Sequence, residues 1–379
     1  MRRALLLSGG VDSSVALHLM MERGEAPDLF YIYIGANEAG YEDCPSEEDM
    51  EMVKWLAKHY GRPLEVVNLH REYWDYVVQY IIDTVREGRT PHPDMLCNRI
   101  IKFGYFNEYA GRDYDQIATG HYASKKVVGD KEFLATAVDP VKDQTDFLAQ
   151  ITYPQLLKAY FPLGELPKSE VRRIASMEHL VTAQRKDSQG ICFLGKVDYN
   201  QFLERYLGTQ KGEIIELETG KVVGEHRGYW FHTIGQRKGL GLSGGPWFVI
   251  RKDIEQNRLY VSRGYDPETQ YGNVVEMPEM HWITLDPMEG EELEVTFKVR
   301  HTPDFTVGQL KRDAEGIYTL HSTELIQGIA PGQFCTIYDR SQQLCYGSGV
   351  IARGLRRECC TKCHSRTFDA KCAETLNEG

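Results

Sequence analysis

The 379-residue chain has no apolar run approaching the roughly 18 residues that a membrane-spanning helix requires, so no membrane partner is expected. It also lacks a typical secretory segment. Met1-Arg2-Arg3-Ala4-Leu5-Leu6-Leu7 is basic and then apolar, but Ser8-Gly9-Gly10 ends the run too soon, and a buried first strand is the expected reading. Positive charge is not in surplus: 44 Lys and Arg against 55 Asp and Glu give a net charge of −11, which argues against indiscriminate nucleic-acid binding. Basic pairs at Lys125-Lys126, Arg172-Arg173, Arg185-Lys186, Arg237-Lys238 and Arg251-Lys252 leave room for a basic face, although each alone reads first as a solvated pair. Repeats and low-complexity tracts are absent. Nine cysteines, an odd number in a chain this long, do not suggest a disulfide framework. With no export signal the expected compartment is the reducing cytoplasm, where cysteines are catalytic, metal-binding or inert.

What is present divides in two. Over the first 125 or so residues, strand and helix signals alternate. Strands are expected at Ala4–Leu7, Leu29–Ile34, Leu64–Leu69 and Gln116–Thr119. Helices are expected from Val11 to Gly24, from Ser46 to Gly61 and from Trp74 to Arg86. That order implies an α/β fold with a parallel sheet covered on both faces. Helical signals continue from Asp146 to Leu180, with Ser169 as an N-cap candidate. Beyond Gly212 short alternating runs at 213–217, 247–250, 258–261, 293–299, 317–321 and 334–338 suit one or two small β-barrels, divided near Tyr265-Asp266-Pro267.

Leu6-Leu7-Ser8-Gly9-Gly10-Val11-Asp12-Ser13-Ser14 joins the first strand to the first helix. Two glycines let the backbone approach an anion, and successive amides at a helix start converge on phosphate oxygens. A Walker A loop would carry a lysine here, and none stands. A bland Gly turn with a polar cap is the alternative, disfavoured by six matching residues in this context. The loop resembles the PP-loop of ATP pyrophosphatases, which release AMP and pyrophosphate. Cys97 follows a proline-stiffened stretch, Thr90-Pro91-His92-Pro93-Asp94-Met95-Leu96, and Cys192 ends the polar stretch Lys186-Asp187-Ser188-Gln189-Gly190-Ile191. Each cysteine taken singly reads as a small buried hydrophobe.

Together these motifs resemble the bacterial tRNA-specific 2-thiouridylases of the MnmA/TrmU type. The resemblance runs through Glu72-Tyr73-Trp74-Asp75, Gly88-Arg89-Thr90-Pro91, Cys97-Asn98, Ala118-Thr119-Gly120-His121-Tyr122, Lys142-Asp143-Gln144, Phe161-Pro162-Leu163-Gly164, Gly190-Ile191-Cys192-Phe193, Thr233 to Gly241 and Pro331-Gly332-Gln333, and covers residues 1 to about 352. It implies a PP-loop (adenine nucleotide alpha hydrolase-like) domain at 1–195, small mostly-β domains at 196–268 and 269–354, and a Cys-rich tail at 355–379. The implied reaction replaces the C2 oxygen of uridine 34 in a tRNA anticodon by sulfur, at the expense of ATP with Mg²⁺. Sulfur would arrive from a sulfur-relay donor protein as a persulfide on Cys192. Cys97 would help release it, leaving a Cys97–Cys192 disulfide, and Asp94 would transfer a proton. Leu6, Leu7, Ser8, Gly9, Gly10, Val11, Asp12, Ser13, Ile34 and Gly120 match nucleotide contacts. His92, Pro93, Asp94, His121, Lys142, Asp143, Gln144, Arg300, His301 and Gln333 match tRNA contacts.

The chain departs from this pattern in places. His92 stands where Asn is usual, Tyr31 to Asn37 replaces a Met-containing segment, and Gln189 replaces Thr. In the tail, Cys360, Cys363, Cys372 and His364 or Cys359 have tolerable spacing for a zinc or iron–sulfur site; a reduced tail without metal is the preferred reading. Two further classes stay open at this stage: another PP-loop enzyme that adenylates a small carbonyl compound, and a nonenzymatic RNA-binding module.

Overall fold

The computed structural model describes residues 1–35, 46–186, 198–264 and 271–356. Its first half contains β1 (Arg3–Leu6), β2 (Asp28–Tyr33), β3 (Leu64–Asn68), β4 (Gln116–Ala118), β5 (Ser124–Val128), β6 (Lys131–Ala135) and β7 (Ala159–Tyr160). Five of these form a parallel sheet in the order β3-β2-β1-β4-β7. Both faces are dry. Ala4, Leu6, Phe30 and Ile32 enter one core, while Leu5, Leu7, Leu29 and Tyr31 enter the other. Strand side chains alternate in direction, so burial on both faces demands the unbroken apolar runs seen in the sequence. Helices α1 (Val11–Glu22) and α2 (Ser46–Tyr60) pack on the second core through Val15, Leu17, Val53 and Leu56.

The expected α/β half is therefore present, with local corrections. The stretch expected to be helical from Asp146 onward is three short helices, Thr145–Leu148, Tyr153–Lys158 and Lys168–Met177, interrupted by the edge strand β7. Ser169 does not cap the last of them. Pro167 occupies the N-cap in an extended conformation, and Ser169 lies inside the first turn. A proline fixes its own φ and lacks an N–H, so it fits the start of a helix.

Beyond the helix Tyr199–Leu207, the second half is mostly strands, with one short helical turn at Tyr229–Phe231. A four-stranded sheet, ordered β10-β11-β8-β9, comprises β8 (Gly212–Glu216), β9 (Val222–His226), β10 (Trp247–Asp253) and β11 (Arg258–Arg263). Next come β12 (Tyr271–Met277), β13 (Met280–Trp282), β14 (Glu292–Lys298), β15 (Thr306–Arg312), β16 (Tyr318–Gln327), β17 (Phe334–Tyr338), β18 (Leu344–Val350) and β19 (Arg353–Leu355). Because β13 follows closely on β12 yet pairs with β18 at the far side of the sheet, this sheet curls round on itself. The expected divide at Tyr265-Asp266-Pro267 lies outside the described residues.

One connection was not expected from the sequence. The hairpin β5–β6 leaves the parallel sheet's domain and joins the C-terminal sheet, β6 pairing with β18 at Ala135↔Leu344 and Leu134↔Cys345. Side chains reinforce the seam: Gln150 Nε2 donates to Ser348 O at 3.1 Å and lies 2.9 Å from Ser348 Oγ, and Thr284 Oγ1 donates to Glu132 O at 2.8 Å.

Candidate functional site

The sheet order reverses between β1 and β4, and at such a switch point the loops leaving the two strands part and open a crevice. The Ser8–Ser13 loop leaves β1 there. Gly9 adopts φ +74°, and a Cβ on it would lie 2.8 Å from the Cα of Asp49 in α2. Ser13 Oγ donates to Gly10 O at 3.2 Å and receives the Ser8 N–H at 3.2 Å, closing the loop on itself. Arg185 braces it from outside, donating to Gly9 O at 2.8 Å and pairing with Asp49 at 2.6 Å. The first-turn amides of α1 have no intrahelical acceptor and face the crevice mouth with the positive end of the helix dipole.

Gly120, leaving β4, seals the other wall. A Cβ there would stand 2.8 Å from Ser13 N and 3.1 Å from Ser13 Cα. Beside it, His121 Nδ1 is 2.8 Å from Thr119 Oγ1 and its Nε2 is 3.4 Å from Lys102 Nζ. Desolvation, aided by the Lys102 charge, holds this imidazole well below its ordinary pKa, so it is neutral at pH 7. Ile34 is buried at the end of β2, and the following Gly35 carbonyl is reached by His70 Nδ1 at 3.0 Å and Trp74 Nε1 at 3.4 Å.

Tyr122 links this loop to the next part of the site. Its hydroxyl donates to Asp12 Oδ1 at 2.8 Å, while its main chain exchanges two hydrogen bonds with Gln144, at 3.0 and 2.8 Å. Gln144 leads into the helix Thr145–Leu148. There Phe147 O receives Asn98 Nδ2 at 2.9 Å, fixing the helical segment that begins at Cys97. Cys97 is 1% exposed, and its neighbours Pro93 and Met95 are buried.

The C-terminal half packs against this segment. Thr90 N donates to Pro331 O at 2.7 Å, and a Cβ on Gly332 would lie 2.8 Å from Arg89 Cβ. His92, Asp146, Lys298, Arg300 and His301 line one small cavity with Met95, Phe334 and Thr336, of about 10 Å³, room for roughly one water. Asp146 receives His301 Nδ1 at 3.0 Å, and Phe147 packs on both His301 and His92, with ring centroids 4.5 and 5.3 Å away. Burial lowers the pKa of His92, whose Nδ1 has no protein partner. Arg300 donates to Gly328 O. Asp143 and Lys298 form a buried pair at 3.7 Å, and Asp143 also receives Ala137 N at 2.8 Å and Thr145 Oγ1 at 2.6 Å. Desolvation raises the Asp143 pKa. Lys142 sits on the same turn, its N–H on Asp139 at 3.1 Å, and Gln333 beside Gly332 keeps a buried, unpartnered Oε1.

The structure thus gathers residues singled out in sequence into two joined clusters, one at the Gly-rich loop and one around the helical segment that begins at Cys97. Cys192 and the tail residues Cys360, Cys363, His364 and Cys372 lie outside the described residues. Sequence reasoning passed over Tyr122, Asp146, Lys168 and Lys298 as site residues. Tyr122 alone stood in a motif run; the others carried no local signal, because the partners of the four are 110, 155, 156 and 155 positions away.

Three family models match consecutive stretches of the chain. They are the tRNA methyl transferase HUP domain over residues 1–196, the tRNA methyl transferase PRC-barrel domain over 200–263 and the Aminomethyltransferase beta-barrel domain over 274–351. The tRNA-specific 2-thiouridylase MnmA of Porphyromonas gingivalis (strain ATCC 33277) is 60% identical over 358 residues, spanning 93% of this chain and 99% of that protein. The protein of the same name from Parabacteroides distasonis is 60% identical over 355 residues, spanning 93% and 99%. The tRNA-specific 2-thiouridylase MnmA 1 of Bacteroides thetaiotaomicron is 58% identical over 355 residues, spanning 93% and 100%.

Proposed function

Because the chain belongs to the tRNA-specific 2-thiouridylase family, we propose that it uses ATP to replace the C2 oxygen of uridine 34 in a tRNA anticodon by sulfur. The observation that carries this reading is the join at Tyr122, which ties a phosphate-type loop at the sheet's switch point to the segment that holds the Cys97 helix. Activation and sulfur transfer then occur at two hydrogen-bonded neighbours in the fold.

The Ser8–Ser13 loop, with Ile34 and Gly120 as walls, binds ATP. Mg²⁺ bound with the nucleotide would neutralise phosphate charge, and Asp12, whose Oδ1 already meets Tyr122 and Lys168, would offer it only its other oxygen. Attack of the uridine O2 on the α-phosphorus expels pyrophosphate and leaves an O-adenylated base. The terminal sulfur of a Cys192 persulfide then adds at C2 and displaces AMP. A persulfide is more acidic than a thiol and is a soft nucleophile near neutral pH. Cys97 sulfur attacks Cys192 Sγ, freeing 2-thiouridine and forming a Cys97–Cys192 disulfide, which thiol exchange reduces. Asp94, one helical turn before Cys97, moves the proton. His92, Pro93, His121, Lys142 to Gln144, Arg300, His301 and Gln333 shape the surface that receives the splayed anticodon. The reading divides the chain at 1–195, 196–268 and 269–354, and sets the enzyme in the cytoplasm beside its tRNA and a persulfide-donating protein.

The test is reconstitution with tRNA, Mg²⁺–ATP and a persulfide donor, reading AMP and the modified nucleoside by mass. Thiolated uridine with stoichiometric AMP supports the proposal, and methylated or unmodified tRNA sinks it. Cys192→Ser and Cys97→Ser should each abolish 2-thiouridine, and persistent thiolation by Cys192→Ser would overturn the sulfur route.

A further inference from the structure

The Gly-rich loop has no lysine of its own, yet a lysine rests on it. Lys168 opens the helix Lys168–Met177, its main-chain N–H bound to Asp139 Oδ2 at 2.8 Å. Its Nζ lies 2.6 Å from Asp12 Oδ1 and 5.6 Å from the centre of the Tyr122 ring. The lysine side chain is 12% exposed, while the Asp12 side chain is 32% exposed. The pair is thus sheltered at the lysine and partly open at Asp12, a first-turn residue of α1. A pair partly open to solvent adds little to stability. Its place beside a helix start that favours anions gives the ammonium a second use.

We infer that Lys168 is the cation this loop takes from a distant part of the chain: with ATP bound, its ammonium neutralises the β- and γ-phosphoryl oxygens and then the departing pyrophosphate. Asp12 and Tyr122 hold the ammonium at the loop's edge, as the three positions share one hydrogen-bonded corner. In P-loop enzymes a lysine within the loop meets the same demand, since phosphoryl chemistry is governed by positioning and charge neutralisation. Arg185, the other cation on the loop, is committed to Gly9 O and Asp49 and acts as a brace. The inference rests on the ATP reading proposed above.

The experiment is calorimetric titration of the full chain with Mg²⁺–pyrophosphate and, separately, with AMP, comparing the wild type with Lys168→Met and Lys168→Arg. Losing a charge-assisted contact should weaken pyrophosphate binding of Lys168→Met by about tenfold or more. AMP binding should stay within about twofold, and Lys168→Arg should recover most of the loss. Lys168→Gln carries the same comparison should the methionine variant not fold. Unchanged pyrophosphate affinity in a folded variant overturns the role. So does an equal loss for AMP and pyrophosphate, which marks a purely structural latch. A wild-type chain that binds neither AMP nor pyrophosphate brings down the ATP reading as well, so the two failures are told apart by the wild-type titration.

Discussion

At position 120 the space beside the Gly-rich loop admits a hydrogen and nothing larger. A methyl group there would press on Ser13 N at 2.8 Å and Asp12 C at 3.1 Å, all backbone atoms that cannot rotate away. Gly120→Ala therefore has to displace the loop or β4. We expect a stability loss of about 1–3 kcal/mol from overpacking and a drop in kcat/KM for ATP of roughly 100-fold, since misplacement by about 1 Å is that costly. Steady-state kinetics with varied ATP, beside a thermal melt, checks both; wild-type kinetics would show the wall to be soft. The glycines and cysteines here were legible in sequence because they stand in contiguous motifs. Asp146 was not. Its meaning lies in His301, 155 residues on, and no periodicity reports such a pair.

Among elements, the central four-stranded sheet carries an acid sensitivity of its own. His232 ends the short turn Tyr229–Phe231, its N–H on Tyr229 O at 3.1 Å and its ring 5.8 Å from that of His226. Gly228 N donates to His226 Nδ1 at 3.0 Å, so the other nitrogen is the donor to Asn257 O at 3.1 Å. His232 Nδ1 is buried without a partner. Burial, then the charges of His226, Lys252 and Arg227, lowers the His232 pKa to about 4. A histidine in the unfolded chain binds its proton near pH 6.5. Below that value the unfolded state takes up the proton first, so the folded state loses ground until the pH reaches about 4. The loss amounts to roughly 3 kcal/mol across that window. His232→Gln should flatten this part of the curve while His226, also lowered by burial, keeps its own share, and urea midpoints at pH 7 and 4.5 measure the difference. Parallel curves for wild type and variant would refute the assignment. The strands of this sheet were partly visible in sequence as alternating runs. β5 and β6 were not, because Ser124–Val128 is largely exposed, shows no polar–apolar alternation and is held as a strand by its partner β6.

The molecule as a whole is joined more tightly than its sequence grammar implies. Composition shifts near residue 200 suggest independent modules, yet β6 of the first half is a working strand of the C-terminal sheet. Lys298 of β14 is 1% exposed and faces Asp143 of the first half, itself 2% exposed, with the Lys298 ammonium over the Phe305 ring at 4.1 Å. Gln150 and His281 cross the same seam, His281 Nε2 lying 2.8 Å from Ile151 O. A buried carboxylate deprived of its cation costs about 3–5 kcal/mol, and the unpaired edge of β6 and the orphaned Gln150 amide add to that. A chain ending at Gly264 should therefore melt more than about 10 °C below the full chain, since each kcal/mol moves the midpoint by roughly 2–4 °C at this size. Calorimetry of the full chain should show the parallel sheet and the C-terminal sheet unfolding in one transition. The truncated chain should also lose its hold on the Cys97 loop, because Thr90 N and Gly332 meet only across this seam. A truncated chain that melts at the full-length midpoint would mean that the seam is a contact between finished domains. The shared strand argues otherwise: the small cavity at His92 has one wall from each half, and neither half can complete it alone.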